Sequence, residues 1–420
     1  MEYNFKNERR CIAMKIAIIG GGAAGMMVAI SASIHNPAAE VLLLEKNKTL
    51  GKKLAITGGG RCNITNICST EELIEKVIQN PRFLYGALNA FTSQDLLDML
   101  HKAGLKTKVE ESGRIFPTSD NSQDVIDVFE RYLLEGKVKI FTDHIVDNVE
   151  KIEGKFMITT KGKQIEVDKL IIATGGLSAP ATGSTGDGYT FAKALGHSIT
   201  PELKPAIVPL KTKENWPKQL QGVSISNIGV TLKAGDKTAF KGEGDIIFTH
   251  FGVSGPVVLR ASSYLSKNAT LILDLLPQKN EKELEAYLLA YFKANPNKAI
   301  KTCLESLLVK KMAHTILEIC NIHEDTKINN ITKEARASLV QAFKALPLTI
   351  TGTHGFATAV ATAGGIPTKE INPKTMESKI TKNLYLAGEV IDIHAHTGGY
   401  NLQIAFSMGY VAGKCAALVE

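Results

Sequence analysis

The sequence predicts an α/β protein: a doubly wound nucleotide-binding domain carrying an inserted β-barrel-like domain, which itself carries a helical insertion. Three observations lead there. The chain opens on an apolar run, a glycine turn and a helix across Lys15–Ala32. Two later apolar runs, Lys169–Ala173 and Asn383–Ala387, each stop at a glycine. Between them, over roughly 198–353, short β-branched runs give way to helical periodicity and then to strand again.

Lys15-Ile16-Ala17-Ile18-Ile19 reads as a buried parallel strand, and Met26–Ala32 as the helix after it. Between them Gly20, Gly22 and Gly25 fit G-x-G-x-x-G. The first glycine allows the tight turn, the second lets a pyrophosphate touch the backbone, and the third lets helix pack on strand. Ala24 lies in the same cradle, and the anion rests on the positive end of the helix dipole. A second strand, Val41–Leu44, ends at Glu45, twenty positions beyond Gly25, with Lys46 next. A carboxylate there grips both hydroxyls of an adenosine ribose. Strand, glycines, helix, strand and acid in register predict a Rossmann-like, dinucleotide-binding domain.

Further glycine turns ask for a larger cofactor than a nicotinamide. Leu50–Asn63 contains Gly58-Gly59-Gly60, which belongs in neither strand nor helix interior. Thr57, Gly59, Gly60, Cys62 and Asn63 line this loop, and Lys52, Lys53 and Arg61 are available to phosphates. Thr174 and Gly175 end the strand at Lys169 and lead to Thr182–Tyr189 and a short helix. Gly388 and Glu389 end the last strand. Thr397, Gly398, Gly399, Tyr400 and Asn401 then open a C-terminal helix through Ala405, Gly409 and Ala412. A helix N-terminus with paired glycines suits the electron-rich edge of a reduced flavin, where its dipole stabilises developing negative charge.

Composition bounds the rest. A chain of 420 residues is too long for one ordinary core, so two or three domains are expected. Net charge is +7, but no basic stretch with interleaved aromatics stands out, so solvated lysines are favoured and no nucleic acid is expected. No apolar run is long enough to span a bilayer. The residues before Ile16 lack the apolar core of a signal peptide, so a cytoplasmic protein is expected. Met14 precedes the first strand directly, and residues 1–13 read as a disordered extension or a misplaced start. The six cysteines form no Cys-x-x-Cys pair and no zinc spacing, so no metal is expected. Cys62 and Cys68 are spaced so as to permit a disulfide, with reduced thiols the default.

Ile56–Asn63, Phe248–Pro256 and Thr397–Asn401 make a specific combination. It resembles the two-dinucleotide-binding-domain flavoproteins of the glutathione-reductase-like superfamily. Within them it is similar to the aminoacetone-oxidase-like, FAD-binding family, whose members include proteins linked to bile-acid reduction. The resemblance runs from Lys15 to Glu420. It implies that Glu45 binds the adenosine ribose of FAD, that Gly388 and Glu389 lie at the ribityl and pyrophosphate groups, and that Thr397–Asn401 line the isoalloxazine. Ile393-His394-Ala395-His396 departs from the family's small, glycine-containing stretch. Thr182–Asp187 also resembles fumarate reductase flavoproteins, which attach FAD through a histidine in the early glycine loop. Thr57–Arg61 has none, which implies non-covalent FAD. Disulfide reductases of the superfamily place two cysteines closer together than Cys62 and Cys68.

The expected layout is an FAD-binding domain over 14–197 and 354–420, an inserted β domain over 198–279 and 346–353, and a helical domain over 280–345. The substrate cavity is expected where the insertion meets the flavin. His250 is a candidate acid or base or a packed corner residue, and His354 stands in a glycine-flanked turn with the same two readings. Arg114 either binds an anionic substrate group or pairs with preceding acids. Tyr400 either donates a hydrogen bond or walls the flavin. The expected activity is FAD-dependent oxidoreduction by hydride transfer between a small organic substrate and flavin N5. No second G-x-G-x-x-G follows a later strand, so either NAD(P)H binds transiently or the substrate is the reductant and O₂ reoxidises the flavin. Two alternatives stay open: an NAD(P)H-dependent reductase of an activated C=C bond, and a flavin-dependent RNA-modifying enzyme. Oligomeric state is left open.

Overall fold

In the computed structural model, which describes residues 14–418, the first apolar run becomes the centre of a parallel sheet. The expected extension at 1–13 lies outside the described residues. The sheet has five strands in the order Leu384–Leu386, Lys169–Ile172, Lys15–Ile19, Glu40–Leu44 and Lys139–Phe141, all parallel. The first strand therefore sits in the middle, with later strands added on either side. This is the doubly wound order, whose chain reversal leaves a crevice at the carboxyl end of the central strand. Ile16, Ile18, Leu43, Ile171 and Ile172 are fully buried there. Each contributes about 1.5–3 kcal/mol by leaving water.

One helix lies against this sheet, and a second packs on the first. The helix Ala23–His35 follows the first strand, and the C-terminal helix Tyr400–Ala417 packs along it. Two glycines set the spacing. A Cβ on Gly409 would lie 2.6 Å from the Ala24 carbonyl oxygen, and one on Gly413 would lie 2.3 Å from that of Val28. The backbones thus nearly touch, and Ser31 donates a 2.7 Å hydrogen bond to the Tyr410 carbonyl across the contact. A separate antiparallel meander is formed by Val146–Ile152, Lys155–Thr160 and Lys163–Val167.

The inserted region is a closed six-stranded barrel, as its short β-branched runs predict. Its order is Leu210–Thr212, Gly252–Ser254, Lys237–Thr249, Ser224–Ala234, Ala269–Asp274 and Leu346–Thr353, which pairs back to the first. Helices including Glu281–Ala294, Lys310–Ile319 and Lys333–Lys344 lie between the last two barrel strands in sequence. They share one hydrophobic core with the barrel, where Leu271 and Leu348 meet Leu284, Ile316 and Phe343. By contacts the chain forms two compact units, one ending at Lys204 and resuming at Ala361, the other spanning Pro205–Val360. Among the described residues no helix is long and apolar enough to cross a membrane.

Candidate cofactor site

The glycine turn is built as its spacing predicts. Gly20 has φ +106°, and a Cβ there would stand 2.5 Å from the Ala173 carbonyl oxygen. A Cβ on Gly25 would fall 1.8 Å from the Gly20 carbonyl oxygen, so only glycine permits that crossing of helix and strand. Gly22 differs: a Cβ there meets nothing within 4 Å. It begins the helix with no side-chain cap, and no acid occupies the first turn. The turn therefore keeps bare backbone in front of a helix N-terminus, which is the shape and charge a pyrophosphate needs.

Glu45, nearly buried, stands beside this turn. Its Oε2 accepts from Gly21 N–H at 2.7 Å, and its Oε1 accepts from both the backbone and side-chain N–H of Asn47 at 2.7 Å. A carboxylate has about four acceptor sites, so capacity remains on Oε2. Asn47 also donates to the Thr182 carbonyl at 3.0 Å. Lys46 is ion-paired with Asp187 at 2.6 Å. Burial opposes the charge on Asp187, but its bonds to Lys46 and Thr185 hold its carboxyl below the usual range.

The triple-glycine loop turns on left-handed backbone at Gly58, Gly59 and Gly60. Gly58 packs against Phe116 and Asn63, whereas a Cβ on Gly59 or Gly60 meets nothing within 4 Å. Thr57 donates to the Leu54 carbonyl at 2.7 Å. Arg61 is committed elsewhere than to a phosphate. It pairs with Glu110 at 2.8 Å and Asp120 at 3.3 Å, and lies over the Phe116 ring at 4.1 Å. Cys62 is buried, which pushes its thiol up to about 12, and both it and Cys68 are free. Arg114 donates to the Glu111 carbonyl at 3.2 Å, a hydrogen bond rather than an ion pair.

Lys53 reaches across to the last strand and pairs with Glu389 at 2.6 Å. Burial works against the Glu389 charge, yet Lys53, Ser178 and Thr362 together hold its carboxyl below the usual range. Ser178 donates at 2.5 Å and the Thr362 backbone at 2.8 Å. Sequence reasoning missed Ser178, Thr362 and Asn47. Their signal was modest: each is a small polar residue close to a glycine or acid already singled out. Gly175, at φ +73°, turns the chain after Thr174, and Gly388, at φ +81°, approaches Ala24 closely enough that a Cβ would stand 2.9 Å from the alanine Cβ.

The start of the C-terminal helix is held by Asn63 and Asn66. Asn63, its amide turned to satisfy both neighbours, accepts from Gly399 N–H at 2.9 Å and donates to the Thr65 carbonyl at 3.1 Å. Asn66 donates to the Gly398 carbonyl at 3.1 Å and reaches the Tyr400 hydroxyl at 3.5 Å. Tyr400 is buried, and that burial, with Cys68 and Glu72 nearby, raises its hydroxyl above the ordinary value. Asn401 clips the preceding loop, bonding the Ala395 N–H and carbonyl at 2.9 Å each and the His396 carbonyl at 3.2 Å. Thr397 is half-buried in that loop.

The barrel unit brings two predicted candidates together. The Phe251 ring stacks on His354 with centroids 3.9 Å apart and meets His250 edge-on at 5.0 Å. His250 is exposed, and His354 contacts Thr358 at 3.3 Å. This unit also carries most of the net positive charge, with 19 lysine or arginine residues against 13 aspartate or glutamate over 205–360.

A central parallel strand, a glycine turn with bare backbone and a carboxylate at the next strand's end define a dinucleotide-binding protein of the Rossmann class. Residues 14–415 match the HI0933-like protein Rossmann domain, and the chain belongs to this family. It is an FAD-dependent oxidoreductase. The chain is 32% identical to a 3-dehydro-bile acid delta(4,6)-reductase of Clostridium scindens over 96% of its length and 99% of the relative's. It is 32% and 33% identical to ribosomal RNA dihydrouridine synthases of Escherichia coli and Haemophilus influenzae, over 94% of its length and 96% of theirs.

Proposed function

We propose that the protein holds FAD non-covalently and reduces a C=C bond conjugated to a carbonyl group. The carrying observation is the bare backbone at Gly22, next to Gly21, whose N–H is held by the carboxylate of Glu45 at 2.7 Å. Gly20, Gly22, Ala24, Gly25, Glu45 and Lys46 would hold the adenosine diphosphate half. Thr57, Gly59, Gly60, Thr174, Gly175, Gly388 and Thr397–Asn401 would line the rest. Lys53 and Glu389 act as a pair that fixes the loop, and Asn63 fixes the helix start. Bound FAD supplies hydride transfer at N5. The protein orients the substrate, excludes water and manages the proton, for which His250 and His354 are the candidates beside Phe251.

Support for the bond type comes from the relatives' names. A 3-dehydro-bile acid delta(4,6)-reductase acts on C=C bonds in conjugation with a 3-oxo group. Dihydrouridine differs from uridine by saturation of the ring C=C beside a carbonyl. Substrates of very different size thus share one electronic problem. A second reading, uracil within an RNA, is favoured by the surplus of six positive charges on the 205–360 unit.

The test begins with the absorption spectrum of protein loaded with FAD, then anaerobic NADH and NADPH. Bleaching by either, followed by reoxidation on adding a steroid enone, supports the small-molecule reading. Reoxidation only by RNA, with a steep salt dependence, selects the second. Flavin that stays oxidised with both nicotinamides, and is bleached by an amine or alcohol donor, refutes reductase chemistry.

A further inference from the structure

Three successive glycines give a loop more backbone freedom than any other residues would. The triple-glycine loop nonetheless holds an unusual shape. Gly58, Gly59 and Gly60 have φ of +58°, +71° and +89°, and Cys62, which carries a side chain, is also left-handed at +61°. A left-handed cysteine persists only where its surroundings over-determine it. Gly58 and Gly59 are exposed, and a Cβ on Gly59 or Gly60 would meet open space, so this backbone is within reach of an incoming group.

Arg61, at the loop's end, ties that shape to the neighbouring sheet. Its guanidinium lies over the Phe116 ring at 4.1 Å. Gly58 packs on the same ring, where a Cβ would stand 2.9 Å from Cε1. Phe116 is buried and belongs to the strand Arg114–Pro117, which pairs with Thr65–Asn66 and Thr107–Val109. Arg61 also closes a ring of four alternating charges. It pairs with Glu110 at 2.8 Å and Asp120 at 3.3 Å, and Lys108 pairs with the same two at 3.8 Å and 2.6 Å. The second arm of the guanidinium fork reaches Glu110 at 3.4 Å. Stacking on a ring while bonding a carboxylate with two arms needs a planar guanidinium, which lysine lacks. The backbone N–H groups of Arg61 and Cys62 both donate to the Thr57 carbonyl, which ties the loop to itself. The Arg61 side chain ties it to the sheet.

We infer that Arg61 is a positioning residue: clamped by Glu110 and Phe116, it sets the Gly58–Gly60 backbone before FAD arrives. This rests on the FAD reading above and gives Arg61 a role other than phosphate ligand. Ordering a chain in advance removes that entropic cost from binding, and one residue's backbone is worth about 10-fold in affinity. The two roles predict opposite outcomes at Glu110. Loss of the Glu110 charge would release a phosphate-binding Arg61 and tighten FAD. It would unclamp a positioning Arg61 and weaken FAD.

The experiment compares wild type, Arg61→Met, Arg61→Lys, Glu110→Gln and the double variant Arg61→Met with Glu110→Gln. Hydrogen exchange over residues 57–63 in the FAD-free proteins reads the loop, and FAD titration reads the cofactor. Arg61→Met should exchange faster at Gly58–Gly60 and bind FAD about 10-fold more weakly. Glu110→Gln should shift both readings the same way, and Arg61→Lys should recover part of the loss. The double variant should bind no more weakly than Arg61→Met, because the two residues act through one contact. Unchanged exchange in Arg61→Met overturns the inference. Faster exchange with unchanged affinity also overturns it, since the clamp would then serve the fold and not the cofactor. So does Glu110→Gln that binds FAD as tightly as wild type or more tightly while Arg61→Met weakens it, for Arg61 would then meet FAD itself. Wild type that takes up no FAD refutes the FAD reading separately, and the exchange rates then decide whether Arg61 holds the loop.

Discussion

Lys53 and Glu389 stand 336 residues apart in sequence and 2.6 Å apart in space. The contact ties the glycine-loop helix Lys52–Ile56 to the end of the last parallel strand. It closes the sheet's functional edge with charge rather than apolar packing, and Ser178 and the Thr362 backbone complete the carboxylate's bonds.

Lys53→Met should leave that carboxylate half-buried and without its cation. Removing one partner of a fully buried pair costs about 3–5 kcal/mol. Here the side chains keep 26% and 22% of their exposure, so about 2 kcal/mol at pH 7 is expected. The Glu389 carboxyl is held below its ordinary 4.5, so the pair's contribution is complete above that value and is lost as pH falls through the lower folded value. Urea unfolding at pH 7 and pH 3 checks this: the difference between wild type and Lys53→Met should shrink at the acidic pH. An equal difference at both would show that packing, not charge, joins the two residues.

Gly22→Val and Gly25→Ala should fail in opposite ways. The Gly22 position has open space, so valine costs the empty protein at most about 1 kcal/mol, chiefly as a poor helix cap. It fills the cradle, and FAD binding should be lost. Gly25→Ala puts a methyl 1.8 Å from a backbone oxygen and should impair folding itself. Circular dichroism melts beside FAD titrations separate the two. Stoichiometric FAD in purified Gly22→Val would sink the assignment of this turn.

What the sequence revealed divides along physical lines. Lys15–Glu45 was legible because glycine spacing, strand polarity and a terminal acid are local properties read over some thirty residues. The barrel was legible as short β-branched runs, and its closure follows from Leu210–Thr212 pairing with both Gly252–Ser254 and Leu346–Thr353. The partners of charged residues were not legible. Arg61 looks available for phosphate until Glu110 and Asp120 arrive from a separate strand and turn. Asn401 reads as a cofactor contact but spends its amide on Ala395 and His396. The Arg61 pairs depend on long-range geometry that no local pattern encodes, and the Asn401 clip, though it spans only five or six residues, depends on a loop conformation that residue types alone do not fix.

Gly413→Val tests the close helix contact. A Cβ there would stand 2.3 Å from the Val28 carbonyl oxygen, so the C-terminal helix must move outward along its whole contact with Ala23–His35. Overpacking of this kind costs about 1–3 kcal/mol. Since the same helix begins at Tyr400, FAD affinity should fall as well, although residue 413 is over three turns away. A stability loss with unchanged FAD affinity would show that the helix start is fixed by Asn63 and Asn66 alone.

The empty protein's acid sensitivity should depend on His394. Its folded value lies near 4 against an unfolded value near 6.5, because burial disfavours the charged ring. Between those values the unfolded chain binds a proton that the folded chain does not, so stability rises with pH. The favourable state is therefore complete above about pH 6.5 and is lost as pH falls toward 4. Every tenfold difference in proton affinity between the folded and unfolded chain is worth about 1.4 kcal/mol, giving about 3 kcal/mol over the interval. Glu389 opposes the loss by favouring the charged ring, and His396 adds to it. Denaturant melts from pH 7.5 to 4 should show wild type losing about 3 kcal/mol more than His394→Leu, with the gap opening below pH 6.5. Parallel curves would mean that the imidazole protonates as readily in the folded protein as in water, and hence that it is not sealed from solvent.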